Sequence, residues 1–286
     1  MITVPQRLFN LSSVRVLFRK EKTSILHKRL YDAVQGRESY VSAPALSLVL
    51  RGSQRIEDRQ GRIVDLRPGE MILLKKGIYT ISDLLTVDGV YESLVFFFEE
   101  AIIPAVFPQS LTDFSDLSCV KIQTNTALSI FKDSILSLSE SKNSLPETLG
   151  AAKLTELLHL LSAHEKNGDL ARVFAASATP QRRNLAGFME THFDKPLKVE
   201  DYAFLTGRSL TVFRRDFKNK YGQTPQSWLK SRRMHRAKSL LTDRSLTVTA
   251  AAEAAGYQSV SHFIKNFREE FGVSPGVFVE EVRSQS

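Results

Sequence analysis

The C-terminal part of the chain carries one pattern twice. From Ser209 it runs SLTVFRRDFKNKYGQTPQSW, and fifty residues later, from Ser259, it runs SVSHFIKNFREEFGVSPGVF. Phe213, Phe217, Tyr221, Gly222, Pro225 and Trp228 recur as Phe263, Phe267, Phe271, Gly272, Pro275 and Phe278. Aromatics four residues apart share one side of a helix, a preceding serine starts such a helix, and a following glycine ends it. The repeat therefore predicts two copies of one small helical module.

Each copy also has a helix before its serine. VEDYAFLTG (Val199 to Gly207) precedes the first and TVTAAAEAAG (Thr247 to Gly256) the second, each closing on a glycine. Ala203 and Ala252 stand four residues before those glycines, where two helices have to approach closely. Helix, short glycine turn, helix is the arrangement that places its second helix in the major groove of DNA. With the aromatics turned inward, Thr211, Arg214, Arg215 and Lys218 are left on the outer face of copy one. Ser261, His262, Lys265 and Arg268 are left on that of copy two, with Val260 at its start. Arginine grips guanine through two parallel hydrogen bonds, so Arg214 is the residue expected to read a base, and Val260 has only a thymine methyl to touch. Between the copies, Pro225 to Leu241 reads as one helix with Leu229, Met234, Ala237 and Leu241 inward. Lys230, Arg232, Arg233, Arg236 and Lys238 are expected outside, Arg233 and Arg236 also being able to pair inward with carboxylates.

Charge divides the chain at the same place. Residues 181–286 hold 18 Lys+Arg against 11 Asp+Glu, a net +7, which leaves 21 against 20 in residues 1–180. A near-neutral half followed by a strongly basic half predicts a regulatory domain and a polyanion-binding domain. The expected division is 1–165, a linker at 166–180 opening toward Pro180, and 181–286.

The first half reads as strands over about 14–100: VRVLF, ALSLVLRG, the hairpin QRIEDRQGRIVDL turning at Asp58 to Gly61, the turn Arg67-Pro68-Gly69-Glu70, MILLKKG, YTISDLL and YESLVFFF. Short strands with a turn every eight to twelve residues predict a small sandwich or barrel. Beyond Pro104 and Pro108 the period changes. Leu128, Phe131, Ile135 and Leu138 predict a helix within 124–141, and Leu154, Leu157, Leu158 and Leu161 another within 146–165. These helices are expected either to cover the barrel or to pack against a second protomer.

The C-terminal residues resemble the AraC/XylS family of bacterial transcription regulators, two helix-turn-helix units joined by a helix. Phe271-Gly272-Val273-Ser274-Pro275 is its closing signature, and Arg233 and Ala237 fit its linker helix. FMETHFDKPLKVEDYAFLTGRSLTVFRRDFKNKYGQTP, with VLRGSQRIED and LRPGEMILLKKGIYTIS upstream, is most similar to the activators of type III secretion and virulence genes. The resemblance implies an α+β two-domain chain: a cupin-like β-barrel with a helical dimerisation segment, then an all-α double helix-turn-helix domain. It further implies promoter DNA and RNA polymerase as partners, a homodimer, activation of transcription, and an effector or regulatory protein at the N-terminal domain. His27 is the only histidine before His159, so the histidine cluster of metal-binding cupins is missing. Where sugar-responsive relatives often have a histidine this chain has Gly77-Ile78-Tyr79, so the implied effector is apolar or a protein.

DNA-repair proteins carry the same double module with a reactive cysteine, whereas Cys119 stands alone. A cupin-type enzyme has no nucleophile, phosphate loop or paired carboxylates to support it. No catalytic residue, metal or cofactor is therefore expected. A single cysteine, no secretion signal and no apolar run of about 20 residues predict a cytoplasmic protein without a membrane span.

Overall fold

The computed structural model describes residues 1–99, 101–107, 117–140, 144–165, 167–178, 183–242 and 246–284, with the exception of the residue-283 side chain. Pro108, Pro180 and Gln181 lie outside the described residues. The chain divides into two compact units, Met1–Thr179 and Pro180–Ser286.

The first unit is built on two sheets. Its strands are β1 (Ile2–Val4), β2 (Val14–Lys20), β3 (Thr23–Leu30), β4 (Val34–Val41), β5 (Ala45–Arg51), β6 (Ser53–Asp58), β7 (Ile63–Leu66), β8 (Glu70–Leu74), β9 (Gly77–Leu84), β10 (Tyr91–Phe97) and β11 (Cys119–Gln123). One sheet has the order β1-β4-β9-β6-β7 and the other β11-β8-β5-β10-β3-β2. The expected hairpin is β6–β7, with Gln54 opposite Leu66 and Glu57 opposite Ile63. At the expected Pro-Gly turn, Glu70 N–H donates to Arg67 C=O at 3.0 Å, and the Glu70 carboxylate accepts from Arg67 N–H at 2.7 Å. Strand β11 was not read from the sequence; CVKIQ pairs antiparallel with β8, Lys121 opposite Ile72.

Alternate residues of the six-stranded sheet belong to different cores. Ala45, Val49, Ile72, Leu74, Val95 and Phe97 turn inward with Val41, Ile56, Leu66 and Tyr79 of the other sheet. Leu46, Leu48, Met71, Leu73, Leu94 and Phe96 turn outward and are covered by helices. A sheet buried on both faces reads as continuous apolar runs, which is why ALSLVL and LVFFF show no alternation. The cover consists of α1 (Ile103–Val106), α2 (Thr126–Glu140), α3 (Glu147–His164) and α4 (Asp169–Ala178). Leu128, Phe131, Ile135, Leu154, Leu157, Leu158 and Leu161 all join that outer core, so the apolar stripes of α2 and α3 are spent within the chain.

The segment expected as a linker is instead part of this core. Helix α4 occupies most of it, and Leu170, Val173 and Phe174 are buried. Phe174 meets Phe98 edge-on at 5.9 Å between centroids and Phe107 at 5.0 Å. The Glu165 carboxylate accepts from the N–H groups of Leu170 and Ala171, capping the helix. Small residues and lysine gave the stretch a linker composition, but three apolar residues at helical spacing suffice to dock it.

The regular elements of the second unit, in its described residues, are all helices: α5 (Leu185–His192), α6 (Val199–Leu205), α7 (Leu210–Tyr221), α8 (Pro225–Thr242), α9 (Val248–Ala254), α10 (Val260–Phe271) and α11 (Pro275–Ser284). Helix α8, about 27 Å long at its 18 residues, joins the two modules. Its inner side, Met234, Ala237 and Leu241, packs with Ala251, Ala252, Phe263 and Phe267. Arg233 does turn inward, but to carbonyl oxygens rather than carboxylates. Its guanidinium donates to Phe193 C=O at 2.7 Å, to Lys195 C=O at 2.5 Å and to Leu197 C=O at 3.3 Å, and lies 3.2 Å from the Tyr202 hydroxyl. These carbonyls belong to the irregular stretch after α5, where no helical partner is available. The same stretch receives Gly256, whose φ is +87° and where an added Cβ would stand 2.6 Å from Asp194 O.

Two stability outcomes follow. A fragment ending at residue 165 is expected to melt at lower denaturant than one ending at 178, and Phe174→Ala to cost about 3–5 kcal/mol in the intact chain. Equal midpoints for the two fragments would return 166–178 to a linker. In the second unit, Gly256→Ala is expected to cost about 2–5 kcal/mol, from the left-handed backbone together with the clash. Gly222→Ala, which meets no atom within 4 Å, should cost only about 1–2 kcal/mol on the same unfolding curve.

Candidate nucleic-acid interface

Each module assembles its second helix by the same local devices. At the turn after α6, Arg208 N–H donates to Ala203 C=O and Gly207 N–H to Phe204 C=O, both at 2.9 Å. After α9 the pair is Tyr257 to Ala252 at 2.9 Å and Gly256 to Glu253 at 3.0 Å. This paired closure needs a left-handed residue, and Gly207 and Gly256 have φ of +72° and +87°. The carbonyls of Ala203 and Ala252 take the bond that spans five residues, and both methyl groups are buried. The second turn is one residue longer, with Tyr257 and Gln258 standing where the first has Arg208 alone.

Serine then starts both helices. Ser209 Oγ accepts from Val212 N–H and Ser259 Oγ from His262 N–H, each at 3.3 Å. Both helices run twelve residues and stop at a left-handed glycine, Gly222 or Gly272. Beyond it, Thr224 and Ser274 cap the next helices through Ser227 N–H and Val277 N–H. Trp228 closes on Phe217 at 5.7 Å between centroids, and Phe278 on Phe267 at the same separation. Phe213, Phe217, Phe263 and Phe267 are buried, while Tyr221 and Phe271 are half-buried at the module edge.

The outer faces hold the residues expected there. Thr211, Arg214, Arg215 and Lys218 are exposed along α7, and Ser261, His262, Lys265 and Arg268 along α10. Val260 is half-buried as the first residue of its helix. Ile264 was missed: it is 39% exposed on the same stripe as Ser261, Lys265 and Arg268. The signal was present, since the fifty-residue offset sets Ile264 against Arg214.

Ion pairs decide which cations are available. Asp216 accepts from Arg208 Nε at 3.1 Å and from Arg215 Nη2 at 3.5 Å, and the Arg208 guanidinium holds its carboxyl below the usual carboxylate range. Arg214 stands clear of this pair. In module two, Glu269 accepts from Lys230 Nζ at 2.7 Å, with Lys265 Nζ at 4.0 Å, and the Lys230 ammonium holds the Glu269 carboxyl low. His262 Nε2 lies 3.3 Å from Asn266 Nδ2, and Asn266 also donates to the Tyr257 hydroxyl at 3.3 Å. Of the cations expected outside α8, Arg232 pairs with Glu190 and stacks over Phe193 at 5.0 Å, and Lys238 sits 4.8 Å over Phe271. With Lys230 and Arg233 also engaged, Arg236 is the exposed cation of that set without an ion pair among the described residues.

The interior of the β-sandwich holds little free space. A cavity of about 60 Å³, room for about two waters, lies between the sheets. Lys28 Nζ crosses it to Asp83 Oδ2 at 2.5 Å, and Gln54 Nε2 donates to Asp83 Oδ1 at 2.8 Å. Apolar Val41, Ile56, Ile81 and Val95 make up much of the remaining wall.

Comparison with known proteins agrees with both halves. Residues 202–281 match the helix-turn-helix domain model, and residues 44–173 match the ExsA N-terminal regulatory domain model. The chain is 31% identical over 130 residues to the HTH-type transcriptional regulator ExsA of Pseudomonas aeruginosa, covering 46% of this chain and 47% of that one. It is 28% identical over 134 residues to the virulence regulon transcriptional activator VirF of Yersinia enterocolitica, covering 47% and 49%. The chain spans about half the length of the curated relatives it matches. A crystal structure of unsaturated-fatty-acid-bound ToxT from Vibrio cholerae aligns over 94% of this chain and 96% of that one, at 14% identity and a TM-score of 0.38; that likeness carries no weight here. Both matched regions are thus similar to regions of helix-turn-helix transcriptional regulators, in keeping with the AraC/XylS resemblance of the C-terminal residues.

Proposed function

We propose that the protein is a sequence-specific transcriptional activator that lays α7 and α10 in successive major-groove segments of promoter DNA. The observation that carries this reading is the pair of twelve-residue helices with identical caps, buried aromatic stripes and exposed polar, mainly cationic stripes. Arg214 reads a guanine edge. Thr211, Arg215 and Lys218, with Ser261, His262, Lys265 and Arg268, contact neighbouring bases and phosphates. The first module carries more of the base discrimination, because the cations of the second share their charge with Glu269.

The N-terminal unit is the regulatory half, with the working boundary after α4 rather than before it. Homodimerisation falls to the outward faces of α2 and α3, where Ile130 and Leu149 are exposed. A regulatory protein is the effector this reading favours, since the Lys28–Asp83 pair crosses the small cavity between the sheets. The protein acts in the cytoplasm and recruits RNA polymerase; among the described residues no helix is long and apolar enough to cross a membrane.

Arg214→Ala is expected to weaken binding to the preferred duplex about 10- to 100-fold and to flatten the preference at one base pair, worth about 1–3 kcal/mol. Lys218→Ala should weaken all duplexes alike and lower the salt slope by about one. Competition binding against single-base variants at several salt concentrations checks both. An unchanged preference in Arg214→Ala would remove that residue from the readout.

A further inference from the structure

Setting the two recognition helices in register leaves a mismatch in the middle of the exposed stripe. Both start after a capping serine and end twelve residues later at a left-handed glycine, so the fifty-residue offset holds at every position between. On the exposed stripe, Thr211 corresponds to Ser261, Arg215 to Lys265 and Lys218 to Arg268. A hydroxyl answers a hydroxyl and a cation answers a cation. The fourth position sets Arg214 against Ile264.

Nothing in the module fold calls for an isoleucine there. The buried stripe of α10 is completed by Phe263 and Phe267, with Phe271 beside them, and Ile264 lies outside that packing at 39% exposure. A β-branched residue is also a poorer helix former than the lysine or arginine that would keep the face soluble. Its neighbours along the stripe, Ser261, Lys265 and Arg268, are exposed and polar. An aliphatic side chain held by such neighbours against a major groove finds one apolar group on the base edges, the C5 methyl of thymine.

We infer that Ile264 reads a thymine methyl at the step where Arg214 reads a guanine in the other half-site. The two modules, alike in core, caps and length, then select different bases at equivalent positions. A near-duplicate domain thereby recognises an asymmetric site and binds it in one orientation. This inference rests on the DNA-binding reading above. It differs from that reading in its signature: Ile264 carries no charge, so it acts on base preference and leaves the salt slope unchanged.

The test uses the full chain and duplexes that it enriches from a randomised pool. Each thymine of the enriched sequence is replaced in turn by deoxyuridine, which removes only the methyl group. At one position of the second half-site the replacement should weaken binding roughly fourfold, the contribution of one buried methyl. Ile264→Ala should lose that sensitivity while keeping its salt slope, and Ile264→Arg should move the preference at that position toward guanine. Wild-type binding indifferent to deoxyuridine throughout the second half-site would overturn the assignment, as would Ile264→Ala keeping full sensitivity. Failure to enrich any duplex would instead overturn the DNA-binding reading itself.

Discussion

One guanidinium holds the C-terminal unit together. Arg233, projecting from the middle of α8, satisfies the carbonyls of Phe193, Lys195 and Leu197 and meets the Tyr202 hydroxyl. Those carbonyls lie between α5 and α6, where no helical ladder serves them; the Tyr202 hydroxyl and Leu197 N–H share the work at Phe193 and Lys195. Arginine can serve three of them because its donors form a fixed planar fork on a group that stays charged. Module one is thereby bound to the helix that also carries module two. Gly256 brings the turn of module two against Asp194 in the same irregular stretch. The spacing and orientation of α7 and α10 thus depend on packing remote from their exposed stripes.

That arrangement also sorts the positive charge. Five cations on α8 looked available to phosphates, yet Lys230, Arg232, Arg233 and Lys238 are each held by a carboxylate, a carbonyl or an aromatic face. Cations committed to structure leave the reading helices as the main source of free charge. Within those helices the commitment is again unequal: Asp216 faces Arg208 and Arg215 rather than Arg214, whereas Glu269 draws on Lys230 and Lys265. Net charge marks the C-terminal unit as basic, and the ion pairs show how that charge is distributed among its residues.

Much of the fold was legible in the residues. Caps, glycine stops and aromatic spacing act within one or two helical turns, so their meaning survives without knowledge of the rest of the chain. Hence α7, α8 and α10, the β6–β7 hairpin and the turn at Gly69 were all readable. Strand β11 and helix α4 were not. CVKIQ is a strand because β8 offers it an edge, and Asp169–Ala178 is ordered because Phe98 and Phe107 await Phe174. Both depend on partners far away in sequence. At the interface, the reading stripe was legible by elimination from the aromatic core. Ile264 was passed over because an apolar residue on a helix is ordinarily assigned to the core.

The sequence by itself determined the two modules, their register and the residues that can face a groove, because short-range caps and periodicity specify a helix and its sides. Tertiary structure decided three further things: that α2, α3 and α4 spend their apolar faces on the sheet, that Lys28 meets Asp83 across the space between the sheets, and which cations are engaged in ion pairs. Each is settled by distance between groups remote in the chain. Desolvation and pairing act on groups that meet in space, and spacing along the chain does not record which groups those are.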